Sequence, residues 1–126
     1  MRILIADDQR HARSGLRALI SATLPQADIR EAADGLEAER LCQEFEPDLV
    51  LMDVRMPGED GLAATRWIKA HLPRTRVLVL SIQPGNRADA LAAGADGFAC
   101  KCDTPDRLLA QLRALGLPVR TAHPGP

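Results

Sequence analysis

The stretch 49-LVLMDVRMPGEDG-61 decides the fold of this chain. An apolar run, Leu49 to Met52, leads into one carboxylate, Asp53, and then stops. Pro57, Gly58 and Gly61 follow closely and predict a loop. A run with no polar alternation must bury both of its faces. A parallel sheet does this, and it presents polar groups at the carboxyl edge of its strands. The function of the chain then turns on what Asp53 does at that edge.

Outward from this strand the same grammar repeats. Toward the N-terminus, residues 2–6 (RILIA) form a short apolar strand ended by Asp7, Asp8 and Gln9. From Arg10 to Leu24 the spacing turns helical, with Leu16, Leu19, Ile20 and Leu24 on one face and Pro25 closing the helix. Ile29 to Ala33 is a weaker strand. Asp34-Gly35 is a turn in which Asp34 caps a helix carrying Leu36, Leu41 and Phe45, which ends before Pro47. Beyond the opening stretch, Leu62, Thr65, Ile68 and Leu72 mark a third helix stopped by Pro73. Val77 to Leu80 is a strand ending at Ser81, and Pro84-Gly85 is a turn. Residues 86–93 form a short Ala-rich helix with Asn86 as cap and Gly94 as stop. Gly97 to Cys100 is the last strand, followed by Lys101. Thr104-Pro105 opens a final helix with Leu108, Leu109, Leu112 and Leu115 inward and Gly116 at its end. Strand and helix alternate throughout, which predicts an α/β fold: a doubly wound, five-stranded parallel sheet with helices on both faces.

Composition bounds the alternatives. A chain of 126 residues, 46% apolar, supports one domain with a real core, which 2% aromatics requires to be aliphatic. A net charge of −1 points to neither nucleic acid nor an anionic membrane. The N-terminal MRILIADD has too little apolar length for a signal peptide, and no run reaches the ~18 apolar residues of a membrane helix. A soluble, cytoplasmic protein is expected, with its three cysteines as free thiols: Cys100 toward the core and Cys102 more exposed, where a redox role is the rival reading. The domain is expected to span residues 1–116. Residues 117–126 (LPVRTAHPGP) read as a tail or linker, either the end of a stand-alone domain or the start of a longer regulator.

The strand ends carry the chemistry. They offer Asp7 and Asp8, then Asp53, Ser81 and Lys101, from separate segments that should meet at one edge of the sheet. Clustered carboxylates repel and need a cation or a proton. With oxygen ligands alone, Mg²⁺ is the natural ion. A lysine and a hydroxyl beside such a cluster suit a phosphoryl group, and a carboxylate can itself be the nucleophile, forming an acyl phosphate.

With the Asp7-Asp8 pair, Asp53 in LMDVRMPGEDG, Ser81 in VLVLS and Lys101 in AAGADGFACK on the page, the chain resembles the receiver domain of two-component response regulators. The resemblance runs from residue 2 to about 115. The segments ADDQRHARSGLRALI and ADGF look most like receivers that precede a helix-turn-helix DNA-binding domain. It implies the flavodoxin-like (βα)5 fold and a phosphorylation-dependent switch rather than an enzyme, with at most slow autophosphorylation from small donors and slow autodephosphorylation. Asp53 would accept phosphate from a sensor histidine kinase. Asp8 and Asp53 would bind Mg²⁺ together with the backbone carbonyl of Arg55 and with Asp7, directly or through water. Ser81 and Lys101 would contact the phosphoryl oxygens, and Phe98 would turn inward as the hydroxyl moves. The switched surface, also a candidate homodimer face, would be the fourth helix, fifth strand and fifth helix. No direct DNA binding by these residues and no membrane association are implied.

The chain departs from that pattern in three places. Ile82 stands where a small residue is usual, and its bulk is expected to narrow access to Asp53 or to hinder Phe98. The segment from Ser81 to Lys101 is about two residues short, which trims the fourth helix or its loop. Cys102 follows the lysine in place of proline or an acidic residue, so a cis bond there is not expected. A phosphorylation-independent binding module is therefore a rival reading. An aspartyl phosphatase is a weaker one, because the acidic pair is adjacent rather than Asp-x-Asp, and no glycine-rich loop supports nucleotide binding. Arg10, Arg13 and Arg17 share a stripe that reads as a solvated face or as a kinase-docking edge.

Overall fold

The structure, a computed structural model, describes residues 1–58 and 60–119. The strands are β1 (Arg2–Ala6), β2 (Asp28–Ala32), β3 (Leu49–Asp53), β4 (Arg76–Ser81) and β5 (Gly97–Cys100). The helices are α1 (Arg10–Thr23), α2 (Gly35–Phe45), α3 (Gly61–His71), α4 (Arg87–Ala92) and α5 (Pro105–Ala114). The strands form one parallel sheet in the order β2-β1-β3-β4-β5. The chain leaves β1 for the edge at β2 and then returns to the other side of β1 as β3. That reversal makes a crevice at the carboxyl ends of β1 and β3, where a doubly wound sheet binds ligands.

The period of two along each strand divides the core into two layers. Ile3, Ile5, Leu49, Leu51, Leu78, Leu80 and Ala99 pack against Ile20 of α1 and Leu108, Leu109 and Leu112 of α5. Leu4, Val50, Met52, Val77, Val79 and Phe98 face the other way, onto Leu41 of α2, Ala64 and Ile68 of α3 and Ala90 of α4. All five residues of β3 are buried, as the opening stretch requires. The weaker reading of β2 has a physical basis, since it is an edge strand with two of its five positions exposed and two more partly so.

The caps follow the sequence signals. Asp34 accepts from the Glu37 N–H at 2.7 Å and Thr104 from the Arg107 N–H at 3.4 Å. Gly116 ends α5 at a φ of 87°, which glycine reaches without strain. The fourth helix is short, as expected, at six residues, preceded by a 3-10 turn over Pro84–Asn86. Asn86 makes no side-chain cap there.

Three expectations need correction. First, Cys100 and Cys102 are disulfide-bonded rather than free; the turn after β5 brings their Cα atoms to 5.2 Å, inside the range a disulfide spans. Cys42 remains free and buried. Second, the arginine stripe on α1 is not a free solvated face. Arg13 pairs with Glu31 at 3.0 Å, and Arg17 donates to the Ile29 carbonyl at 3.0 Å, so both clamp α1 onto β2; Arg10 is exposed and pairs with no partner among the described residues. Third, Leu117 and Val119, which the sequence placed in a tail, are 7% and 8% exposed and pack on the α1/α5 layer, so ordered packing continues beyond Gly116. The rest of that tail, residues 120–126, lies outside the described residues. Among the described residues every peptide bond is trans, including that between Lys101 and Cys102.

Candidate functional site

Asp7 and Asp8 leave β1 just as β3 delivers Asp53 beside them, and carboxylate oxygens of the three lie within 4.8 Å of one another. Their environments differ. Asp7 is 1% exposed and Asp53 7%, whereas Asp8 faces solvent. Asp7 is held from several sides: its Oδ1 accepts from the Gln9 N–H at 2.9 Å, and its backbone carbonyl accepts from Arg13 at 2.6 Å. Lys101 comes in from the end of β5. Its Nζ lies 2.5 Å from Asp7 Oδ2 and 3.2 Å from Asp53 Oδ1.

The position of Asp53 depends on a close approach of backbone. A Cβ on Gly61 would sit 1.8 Å from the Asp53 carbonyl oxygen, so only glycine lets the start of α3 come this near the end of β3. The Gly61 N–H closes the loop onto Val54 O at 2.9 Å, and Asp60 caps α3 by accepting from the Ala63 N–H at 2.8 Å.

The charges shape one another. Burial pushes the Asp53 carboxyl above its ordinary range. Asp7 and Asp8 add to this, while Lys101 opposes it by charge and hydrogen bond. For Lys101, burial works to lower its pKa. The hydrogen bond to Asp7 and the charges of Asp53 and Asp7 outweigh it, so the ammonium is held above its ordinary value. The site is thus a cluster of three carboxylates, two of them buried, served by one ammonium. Its donors are all hard oxygens, with no thiolate or imidazole among them. Such a set fits a hard divalent cation such as Mg²⁺, held by Asp8 and Asp53, with Asp7 already engaged by Lys101.

A cleft of about 380 Å³ opens over Asp53, lined among others by Asp8, Arg55, Ser81, Ile82 and Lys101. Most of the residues singled out from the sequence therefore meet at one place. Ile82 lines the same cleft as Asp53 and is 62% exposed. Phe98 is 7% exposed and packs in the layer with Val79 and Ala90. Cys102 lies outside the cleft lining.

Ser81 lines the cleft, and its hydroxyl is engaged by the segment that follows the strand. It accepts from the Gln83 N–H at 3.0 Å and from Asn86 Nδ2 at 2.8 Å. Its parity explains this: Ser81 is in step with Val77 and Val79, which face α3 and α4, whereas Asp53 is in step with Leu49 and Leu51 on the opposite layer. Sequence reading missed Asn86, which it took for a helix cap. The signal was the short, polar Gln83–Asn86 connection immediately after the strand hydroxyl. It also missed a cleft of about 320 Å³ between α1 and α5, lined by Ala12, Gly15, Leu16, Leu19 and Leu108, where small residues on α1 leave room.

A doubly wound sheet whose switch-point crevice holds a carboxylate cluster and a lysine defines a class of α/β domains with a polar ligand site at the carboxyl edge of the sheet. Comparison with known proteins places the chain within that class. Residues 3–113 match the sequence model of the Response regulator receiver domain. The "Uncharacterized transcriptional regulatory protein YhcZ" of Bacillus subtilis is 39% identical over 111 residues, covering 86% of this chain and 52% of that protein. The "Oxygen regulatory protein NreC" of Staphylococcus aureus is 35% identical over 118 residues, covering 91% of this chain and 54% of its own length. A crystal structure of a LuxR-family two-component response regulator from Aurantimonas sp. SI85-9A1 superposes with a TM-score of 0.83 at 36% identity, covering 90% of this chain and 83% of that one. The chain belongs to the response regulator receiver domain family. It spans about half the length of the curated relatives it matches. Among the described residues, no helix is long and apolar enough to cross a membrane.

Proposed function

We propose that this domain is the phosphoacceptor switch of a cytoplasmic two-component phosphorelay, with Asp53 as the residue that is phosphorylated. The observation that carries the reading is the juxtaposition of Asp53 with Asp7, Asp8 and the Lys101 ammonium. An Asp53 carboxylate oxygen attacks the phosphorus of a phosphohistidine on a sensor histidine kinase. The new O–P bond forms as the N–P bond breaks, and the imidazole leaves with its electron pair. Lys101 holds Asp53 from one side and meets the incoming phosphoryl oxygens with positive charge where negative charge accumulates. Asp8 and Asp53, with the Arg55 carbonyl, would hold Mg²⁺, which when bound supplies charge neutralisation of the phosphoryl oxygens. Asp7 orients Lys101 and joins the ion only through water, because Lys101 already takes its Oδ2.

The output runs through Ser81. On phosphorylation its hydroxyl leaves Asn86 for the phosphate, loosening the turn before α4 and changing the α4-β5-α5 face, where a second copy or an output domain docks. The likeness to transcriptional regulators supports a DNA-binding output carried outside residues 1–119. Asp53 is a substrate of the kinase, and its own turnover is limited to slow labelling by small donors and slow hydrolysis of the acyl phosphate.

Phosphate incorporation from acetyl phosphate tests the reading. The chain is expected to take up label in the presence of Mg²⁺, and Asp53→Asn is expected to take up none; equal labelling of both would remove Asp53 from this role. A second reading is a receiver-like binding module that does not switch. It is favoured by Phe98 being already buried and Ser81 already tied to Asn86. Beryllofluoride with Mg²⁺ decides between them: amide resonances near Ser81 and Asn86 move in a switch and stay in place in a fixed module.

A further inference from the structure

The disulfide brackets the residue on which the charge balance of the site depends. Cys100 is the last residue of β5 and is half-buried, Cys102 is exposed in the turn that follows, and Lys101 is the residue between them. The turn is held at several points. The Lys101 N–H donates to Ser81 O at 2.8 Å, and the Asp103 N–H donates to Cys100 O at 3.0 Å. From this closed ring the Lys101 side chain extends to Asp7 and Asp53. A bond between residues i and i+2 restricts the backbone torsions of the residue it encloses. The direction of the Lys101 side chain is therefore coupled to the state of the two sulfurs.

We propose that Cys100 and Cys102 form a reversible thiol–disulfide pair that tunes the acidic site through Lys101, the closed form holding the ammonium between Asp7 and Asp53 and the open form releasing it. The consequence for phosphorylation rests on the phosphoacceptor reading above; the sulfur chemistry does not. Cytosolic disulfides are characteristically transient and redox-sensing, and an exposed one on a turn is within reach of small thiols. The reagent class is a low-molecular-weight disulfide. The Cys102 thiolate attacks one of its sulfurs and expels one small thiol. Cys100 then attacks the Cys102 sulfur of the mixed disulfide and expels the second. Two electrons pass from the protein to the small disulfide, and the two thiol protons end on the two small thiols. Cys42 takes no part: it is buried, and burial pushes its thiol up to about 12, which keeps it neutral and unreactive.

Because the closed ring pre-aims Lys101, the oxidised chain accepts phosphate faster than the reduced one, on the order of fivefold for one residue's backbone freedom. The test equilibrates the chain in oxidised or reduced glutathione, verifies the pair by mass and by alkylation of free thiols, and measures labelling from acetyl phosphate with Mg²⁺. The wild type and Cys42→Ser are expected to label faster when oxidised, while Cys102→Ser labels at the reduced rate in both buffers. Equal rates in the two buffers, or a pair that stays open in oxidised glutathione, would overturn the proposal. If neither form labels, the phosphoacceptor reading fails by itself. The pair is then judged by the amide resonances of Asp7, Asp53 and Lys101, which shift between the two buffers if the sulfurs set the lysine and do not shift if they do not.

Discussion

Lys101 crosses 94 positions of sequence to place its ammonium on Asp7, and the same nitrogen lies 3.2 Å from Asp53. One cation thus serves two buried carboxylates. The site is short of positive charge, and that shortage makes it responsive: whatever reaches Asp53 must satisfy a carboxylate that burial and its neighbours have made costly to ionise.

The first prediction concerns this ammonium. Lys101→Met leaves Asp7 and Asp53 facing each other without a cation. In chelator, the variant is expected to lose about 3 kcal/mol of stability, since removing one partner of a buried pair strands the other. Labelling by acetyl phosphate is expected to slow by about 100-fold, the scale of losing one preorganised charge at a reacting group. Urea titration and the labelling time course check the two effects. Unchanged labelling would place the ammonium outside the reaction.

The second concerns pH. The folded-state pKa of Asp53 is raised, so the folded chain binds this proton more tightly than the unfolded chain does. Its ionised form therefore costs stability above the folded pKa, and the cost is relieved as pH falls through that pKa. Asp53→Asn should stabilise the chain at neutral pH by about 1 kcal/mol, and the advantage should vanish in acid. Melting curves of both proteins across pH in chelator read out the sign.

The third concerns Asn86. Its Nδ2 donates to the Ser81 hydroxyl at 2.8 Å. Asn86→Ala removes one of the two donors that hold the hydroxyl and leaves the Gln83 N–H, and beryllofluoride with Mg²⁺ is expected to bind roughly fivefold more tightly, the equivalent of one neutral hydrogen bond no longer broken. Titration by fluorine or amide resonances measures this. Weaker binding would mean that Asn86 assists the switch and does not restrain it.

The fourth is a pair of glycines. Gly61→Ala puts a Cβ 1.8 Å from the Asp53 carbonyl oxygen, and backbone on both sides leaves nothing flexible to yield. It is expected to cost about 3 kcal/mol and to slow labelling by displacing Asp53. Gly15→Ala, within α1 and with nothing inside 4 Å of the new methyl, is expected to stabilise by about 0.5–1 kcal/mol. Thermal unfolding of both variants tests whether space, rather than backbone conformation, accounts for Gly61.

Much of the fold was legible because its signals are local. The unbroken apolar run before Asp53 can be satisfied only by a strand buried on both faces, and Asp34, Thr104-Pro105 and Gly116 mark helix ends by chemistry within a few residues of themselves. The convergence of Asp8, Asp53, Ser81 and Lys101 could be foreseen because parallel strands send all their carboxyl ends to one edge.

The sequence by itself determined which residues stand at that edge. The tertiary structure decided which of them touch. That Lys101 takes Asp7 as well as Asp53 depends on the spacing of β1, β3 and β5 in a twisted sheet. That Ser81 turns to Asn86, Ile82 to solvent and Phe98 to the core depends on which layer each side chain meets, and that the sulfurs of Cys100 and Cys102 close on each other depends on the turn around Lys101. The physical reason is range. Period and capping act over a few residues and are written into the chain, whereas ion pairs, side-chain hydrogen bonds and rotamers are chosen only once distant segments have packed.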